Sequence, residues 1–311
     1  MRICLIFNPN AGTAERIKDF LLQLTGDHRC ELRSVSPTHS GARLAREALD
    51  DGFKRIVVAG GDGTINGVIN GIAPDFDRAE LAILPCGTGN DLARTLGFGP
   101  DRMAQASAAV LDARAEPLDL IRITSGPDTH YCVNVANGGF GGRVANDVAR
   151  ADKQRWGSLA YWMTSVSRLV DLAGFEVELA IDDRTLALEA FGVAVANGRF
   201  VGGGFPIAPR ASLHDGLLDV TVVPVLPPLE LMTAGLNFTL GRDDREDRIR
   251  RYQGRRVQFR AESEMPFSID GEPTGRLDGT FELVPGALQV VTGSRPLPPA
   301  PAPDPATSWL A

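Results

Sequence analysis

Residues 60–67 read Gly-Gly-Asp-Gly-Thr-Ile-Asn-Gly, directly after the apolar run Ile56-Val57-Val58-Ala59. Such a run predicts a buried strand, and Ile65, Val68, Ile69 and Ile72 then fall on one helical face. Strand, glycine turn and helix start bring free backbone N–H groups close to a bulky anion. Asp62 is the unexpected member, because a carboxylate beside phosphates is repelled. It fits if Mg²⁺ lies between them, or if it takes a proton from an attacking hydroxyl. Either role points to phosphoryl transfer rather than passive nucleotide storage. Taken alone, the turn also fits a tight strand–helix connection with Asp62 as the helix N-cap. It is neither the Gly-x4-Gly-Lys-Ser/Thr phosphate loop nor the Gly-x-Gly-x-x-Gly dinucleotide turn.

Three further turns of similar texture must be positioned with it. A strand at 3–7 runs into Asn8-Pro9-Asn10-Ala11-Gly12 and a helix over 13–24. A strand near 30–35 leads to Ser36-Pro37-Thr38-His39 and a helix over 42–49. A strand at 81–85 leads to Cys86-Gly87-Thr88-Gly89-Asn90-Asp91 and a helix from Leu92. Alternating strands and helices predict a three-layer α/β unit with a largely parallel sheet, and ligands gather at the carboxyl ends of such strands. A helix is expected over 103–114. After Pro117 the texture changes to strands at 118–124, 130–136, 175–181, 185–190, 193–196, 217–223, 256–261, 267–269 and 279–283, with a helix over 158–172. This predicts a mainly antiparallel, sandwich-like second domain. The expected boundaries are 1–120 and 121–285, with a segment near 286–296 returning to the first domain. Residues 297–311 form a proline-rich tail, expected to be disordered.

Length and composition bound the rest. A chain of 311 residues with 43% apolar content can bury two cores. A net charge of -7 argues against nucleic acid as a partner. Cys4, Cys30, Cys86 and Cys132 are scattered, and no histidine pairs with them at zinc-ligand spacing. Reduced thiols in a cytoplasmic protein are expected. Met1 leads almost at once into a strand, which predicts no signal peptide. The most apolar long stretch, 217–236, contains Asp219, Glu230 and three prolines, so no membrane span is expected.

In their order, Asn8-Pro9-Asn10-Ala11-Gly12, Gly60-Gly61-Asp62-Gly63-Thr64-Ile65-Asn66 and Pro85-Cys86-Gly87-Thr88-Gly89-Asn90-Asp91 resemble the diacylglycerol kinase catalytic domain family. That family includes bacterial soluble diacylglycerol kinases and sphingosine, ceramide and phosphatidylglycerol-type lipid kinases. Its glycine turn is shared more distantly with NAD kinases and phosphofructokinases. The resemblance implies transfer of phosphate from ATP to a lipid hydroxyl with Mg²⁺, in a cleft between an ATP domain and a β-rich lipid domain. It implies that Asn8, Pro9, Asn10, Ala11, Gly12, Thr38, Gly60, Gly61, Asp62, Gly63, Thr64, Asn66, Gly87, Thr88 and Asn90 approach the nucleotide. It implies that Asp62, Asp91 and Asp119 organise catalytic Mg²⁺ through water, and that Glu272 of Asp270-Gly271-Glu272 is the base. It also implies a structural Mg²⁺ site at Ser212, Asp215 and Leu217. Read without the resemblance, Asp270-Gly271 and the 212–217 stretch are ordinary hairpin turns.

Softer signals remain open. Trp156, Tyr161 and Trp162 suit either a lipid entrance or packing. Eight arginines and four acids over 242–260 suit an anionic membrane surface or a solvated, salt-bridged loop. The glycines at 202–204 suggest a pocket-lining loop. The expected acceptor is diacylglycerol at a membrane surface, met by peripheral association, and a homodimer is a candidate assembly. The alternatives are a sphingosine, ceramide or phosphatidylglycerol acceptor, a soluble acceptor, or a nucleotide-binding regulator without turnover.

Overall fold

The computed structural model describes residues 1–26, 29–98, 110, 113–139, 174–227, 230 and 249–291. Most of the expected helix over 103–114, the expected helix over 158–172, the aromatic trio at 156–162, the 242–248 part of the 242–260 charge run and the tail lie outside the described residues.

The N-terminal unit is strand, turn, helix, repeated. Strands β1 (Ile3–Phe7), β2 (Cys30–Ser34), β3 (Arg55–Gly60) and β4 (Glu80–Pro85) form parallel pairs in the order β2-β1-β3-β4. β1 and β3 are buried at every position, as strands covered on both faces must be. The covering helices are α1 (Lys18–Thr25), α2 (Gly41–Asp50), α3 (Asp62–Ile72) and the short α4 (Asp91–Thr95). A turn of 3-10 helix, Ala14–Ile17, precedes α1 where a single helix over 13–24 was expected. Thr13 explains the delayed start: its N–H and hydroxyl both donate to the Cys86 carbonyl, which holds the chain against the fourth turn.

The second unit is antiparallel. It comprises β5 (Ala115–Ser125), β6 (Asp128–Cys132), β7 (Val135–Gly139), β8 (Phe175–Ile181), β9 (Arg184–Ala196), β10 (Leu218–Pro224), β11 (Arg250–Gly254), β12 (Arg256–Ala261), β13 (Pro266–Ile269), β14 (Glu272–Arg276) and β15 (Gly279–Val291). β8 alternates buried and exposed residues, as a strand with one face on a core does. Its core gathers Leu179, Val195, Val220, Phe259, Phe267 and Phe281. The expected α/β unit followed by a mainly antiparallel β-rich unit is what forms.

Further details differ from the sequence reading, β11 and β14 among them, where no strand was expected. The strand expected over 130–136 is broken at Val133 and Asn134, whose N–H groups both turn to the Asp270 carboxylate. The strands expected at 185–190 and 193–196 are one continuous β9. The strand expected to end at 283 continues to Val291. Its irregular middle lies between Val284 and Leu288, and its far end pairs in parallel with β4 at Val290–Leu81 and Val291–Ala82. Through β15 both units share one 15-stranded sheet.

Helices α2 and α3 pack closely at Gly71, where a Cβ would overlap the Ala42 backbone. Backbone cannot swing aside as a side chain can. Gly71→Ala should therefore destabilise the protein by about 1–3 kcal/mol, read as a lower urea midpoint. An exposed helical glycine would show the opposite, a gain of up to about 1 kcal/mol.

Candidate active site

Three of the predicted turns meet at the carboxyl edge of the parallel strands. Asn8 closes its own turn by accepting from the Asn10 N–H at 3.0 Å, and its Nδ2 donates to Thr64 Oγ1 at 2.9 Å. Gly12 lies against Thr88, since a Cβ on Gly12 would come 2.7 Å from Thr88 Oγ1. Gly61 and Gly87 abut, with only 3.0 Å between a Gly61 Cβ and Gly87 Cα. The 87–90 turn braces itself: Asn90 Oδ1 accepts from Gly87 N–H and Asn90 Nδ2 donates to the Gly87 carbonyl, both at 2.8 Å. Asn90 adopts φ of 53°, a left-handed conformation that asparagine tolerates. Thr38 is bonded within its own turn, to His39 Nδ1 at 3.0 Å and Ser36 Oγ at 3.3 Å.

Asp62 is the first residue of α3 and not its cap. Gly61 occupies the cap position, without a side-chain bond. The Asp62 carboxylate instead reaches across to accept from Leu92 N–H at 3.3 Å. Gly89 lies over Asp62 and Asp91 together: a Cβ there would be 3.0 Å from Asp62 Oδ2 and 3.6 Å from Asp91 Oδ2. Burial, and then repulsion from Asp91, pushes the Asp62 carboxyl up to about 7. Burial also raises Asp91, against the lowering effect of the Gly203 and Gly204 N–H groups and of Arg94. The glycine loop foreseen as pocket-lining folds onto this pair. Val201 and Phe205 bridge its base, and Gly203, at φ of 87°, donates to both Asp91 oxygens at 3.1 and 3.0 Å.

Glu272 arrives from the other unit. It opens β14, directly after the two-residue turn Asp270-Gly271 that joins β13 to β14. Its carboxylate lies against Gly63, so closely that a Cβ on Gly63 would overlap Glu272 Oε1. Glu272 itself is exposed. The turn is both things the sequence allowed, a hairpin connection and the carrier of a carboxylate at the glycine turn.

Paired, partly buried carboxylates that repel one another suit a hard divalent cation, and Mg²⁺ needs few direct carboxylates because it keeps several waters. Asp62 and Asp91 fit that requirement. Asp119 is held from the second unit. Its oxygens accept from Gly216 N–H at 2.9 Å and Gly286 N–H at 2.7 Å, joining β5 to the loop before β10 and to the irregular part of β15. Its charge is felt at Asp215, whose carboxyl is raised chiefly by burial. Asp215 accepts from Leu217 N–H at 3.0 Å, in the same turn as Ser212. Among the described residues no three His, Cys, Asp or Glu side chains converge to hold a metal unaided.

Asn66, foreseen among the phosphate-facing residues, donates instead to Asp270 Oδ2 at 2.9 Å and the Tyr131 carbonyl at 3.2 Å. Sequence reasoning missed Asp270, Asn134, Thr95 and Arg94 as parts of the site. Thr95 donates to Asn134 Oδ1 at 3.3 Å, and Arg94 Nε donates to the Gly89 carbonyl at 3.2 Å. The available signal was the helical spacing of Asp91, Arg94 and Thr95 behind the fourth turn.

Residues 2–123 match the diacylglycerol kinase catalytic domain, and residues 134–292 match the YegS C-terminal NAD kinase beta sandwich-like domain. The chain is 30% identical to the diacylglycerol kinase of Bacillus subtilis (strain 168), over 90% of this chain and 92% of that protein. It is 35% identical to a protein of Xanthomonas campestris pv. campestris (strain 8004) named "Probable lipid kinase YegS-like", over 80% and 82%. A solved diacylglycerol kinase structure from Bacillus anthracis str. Sterne superposes with a TM-score of 0.70 at 24% identity, over 94% of this chain and 97% of that one.

The raised Asp62 carboxyl has a consequence for stability. A carboxylate raised on folding binds its proton more tightly in the native state, so stability falls as pH rises from about 4 to 7. With chelator present, Asp62→Asn should stabilise the protein at pH 8 by at least about 1 kcal/mol and leave it unchanged at pH 4. Thermal melts at both pH values check this. Equal effects at both would contradict the assignment.

Proposed function

The chain belongs to the diacylglycerol kinase and YegS-like lipid kinase family, and we propose that it transfers the γ-phosphate of ATP to the free hydroxyl of diacylglycerol. The observation that carries this reading is the Glu272 carboxylate lying against Gly63, on the edge where Asp62 and Asp91 are paired. A phosphate-binding turn with a metal-suited pair needs only a base for an alcohol to complete a phosphotransferase, and Glu272 supplies it.

In this reading the triphosphate follows the glycine turns, its charge met by the N–H groups at the start of α3. Asp62 and Asp91 would hold Mg²⁺, which would supply charge neutralisation on the transferring phosphate. Glu272 accepts the proton of the acceptor hydroxyl. The freed oxygen forms a bond to the γ-phosphorus as the bond to the bridging oxygen of ADP breaks. Positioning and electrostatics account for most of such catalysis, and rigid turns braced by Asn8, Asn90 and Thr64 suit that demand. Gly203, bonded to Asp91, covers the pair and limits water. Diacylglycerol as acceptor is supported by the Bacillus subtilis relative of that name. Among the described residues no helix is long and apolar enough to cross a membrane. The acceptor is then met from the bilayer surface by peripheral association in the cytoplasm.

Label transfer from γ-labelled ATP with Mg²⁺ to diacylglycerol, monoacylglycerol, ceramide, sphingosine and phosphatidylglycerol in mixed micelles tests this. Label should enter diacylglycerol and be lost in Asp62→Asn. Label in another lipid would reassign the acceptor, and label in none would remove the lipid-kinase reading. Glu272→Gln should keep ATP affinity within about threefold and lose transfer by about 10²–10⁴-fold. A selective loss of ATP affinity would overturn its role as base.

A further inference from the structure

Glu272 stands at the edge of the sheet on a strand whose residues are all exposed, yet its carboxylate is placed against a turn of the other unit. Something must fix the hairpin that carries it. Two residues earlier, Asp270 is 6% exposed and adopts φ of 48°. Its Oδ1 accepts from Cys132 Sγ at 3.1 Å and from the N–H groups of Asn134 and Val135, each at 3.0 Å. Its Oδ2 accepts from Val133 N–H at 3.0 Å and Asn66 Nδ2 at 2.9 Å. Its own N–H donates to the Val135 carbonyl at 3.0 Å.

The Asn66 bond crosses between the units. Asp62, Asn66 and Asn70 are spaced four apart, so they share one face of α3. Asp62 faces the Asp91 pair. Asn70 Nδ2 donates to the Tyr131 carbonyl at 2.9 Å, and Asn70 Oδ1 accepts from Tyr131 N–H at 2.9 Å. Between them Asn66 holds Asp270. One helix face thus sets both the metal-suited carboxylate and, through two hydrogen-bonded side chains, the strand that presents the base.

We propose that Asn66 and Asp270 form a positioning latch: it holds the 270–272 turn on α3 so that Glu272 faces the transferring phosphate. Neither residue touches the reacting atoms. The proposal rests on the reading of Glu272 as base. Charge-assisted bonds to several backbone donors fix a side chain rigidly, and a misplacement of about 1 Å in such a site costs about 10²-fold in rate.

Asp270→Asn turns an amide donor toward N–H groups and threatens the fold, so the test uses Asn66. Asn66→Ala should lower kcat about 10- to 100-fold, with the Kd for Mg-ATP within about threefold and the melting temperature retained. Asn66→Asp, which faces Asp270 with like charge, should lose at least as much. In the Glu272→Gln background, single-turnover transfer should change less than about threefold on adding Asn66→Ala. A weakened Kd for ATP at unchanged kcat would make Asn66 a phosphate contact and overturn the latch. Equal fold-losses in both backgrounds would overturn it too, leaving Glu272 as base. Undiminished turnover by Glu272→Gln alone would overturn the base assignment itself.

Discussion

A carboxylate can lie against the first turn of a helix that carries another carboxylate only if the residue between them has no side chain. That residue is Gly63. A methyl group there would occupy the space of Glu272 Oε1. The rest of the site is arranged around this close approach. Gly61 and Gly87 abut so that the third and fourth turns make one surface, and Gly89 leaves Asp62 and Asp91 facing the same gap. Each glycine admits a neighbour whose charge or backbone is needed there.

Close approach between two units requires that they share a frame. β15 supplies it, pairing with β5 and β12 in the antiparallel unit and with β4 at its far end. Asp119 pins the same region by accepting from Gly216 and Gly286. On the other side, the Asn66 and Asn70 amides tie α3 to Tyr131 and Asp270. The Tyr131 ring packs edge-on against Phe76, with centroids 5.0 Å apart. The glycine turns and Glu272 are thus fastened by backbone pairing and by side-chain amides, on separate faces.

The local parts of this arrangement were legible in the sequence. The buried strand before Gly60, the turn after it and the apolar face of Ile65, Val68 and Ile69 follow from spacing within a dozen residues. The Ser36–His39 turn and the helix over 42–49 were equally local. What depended on distant partners was not legible. Asp270 reads as a hairpin residue, and nothing near it tells that Val133 and Asn134, far earlier in the chain, break their strand to donate to it. The resemblance places Asn66 beside the nucleotide. The partner of Asn66 lies 204 residues away. Asp119 reads as a third metal carboxylate by its motif, and nothing near it in the chain tells that Gly216 and Gly286 donate to its oxygens. These are tertiary choices, in which a buried acceptor takes the N–H groups that topology brings to it.

The account stands on the claim that phosphate and base meet at Gly63. A crystal structure with Mg²⁺ and a non-hydrolysable ATP analogue tests this most directly. The triphosphate should follow the 8–12, 60–64 and 87–90 turns. The metal should lie at Asp62 and Asp91, and the γ-phosphate should face Glu272 across a gap the size of one hydroxyl. A γ-phosphate directed away from Glu272, or a metal bound without Asp62, would contradict it.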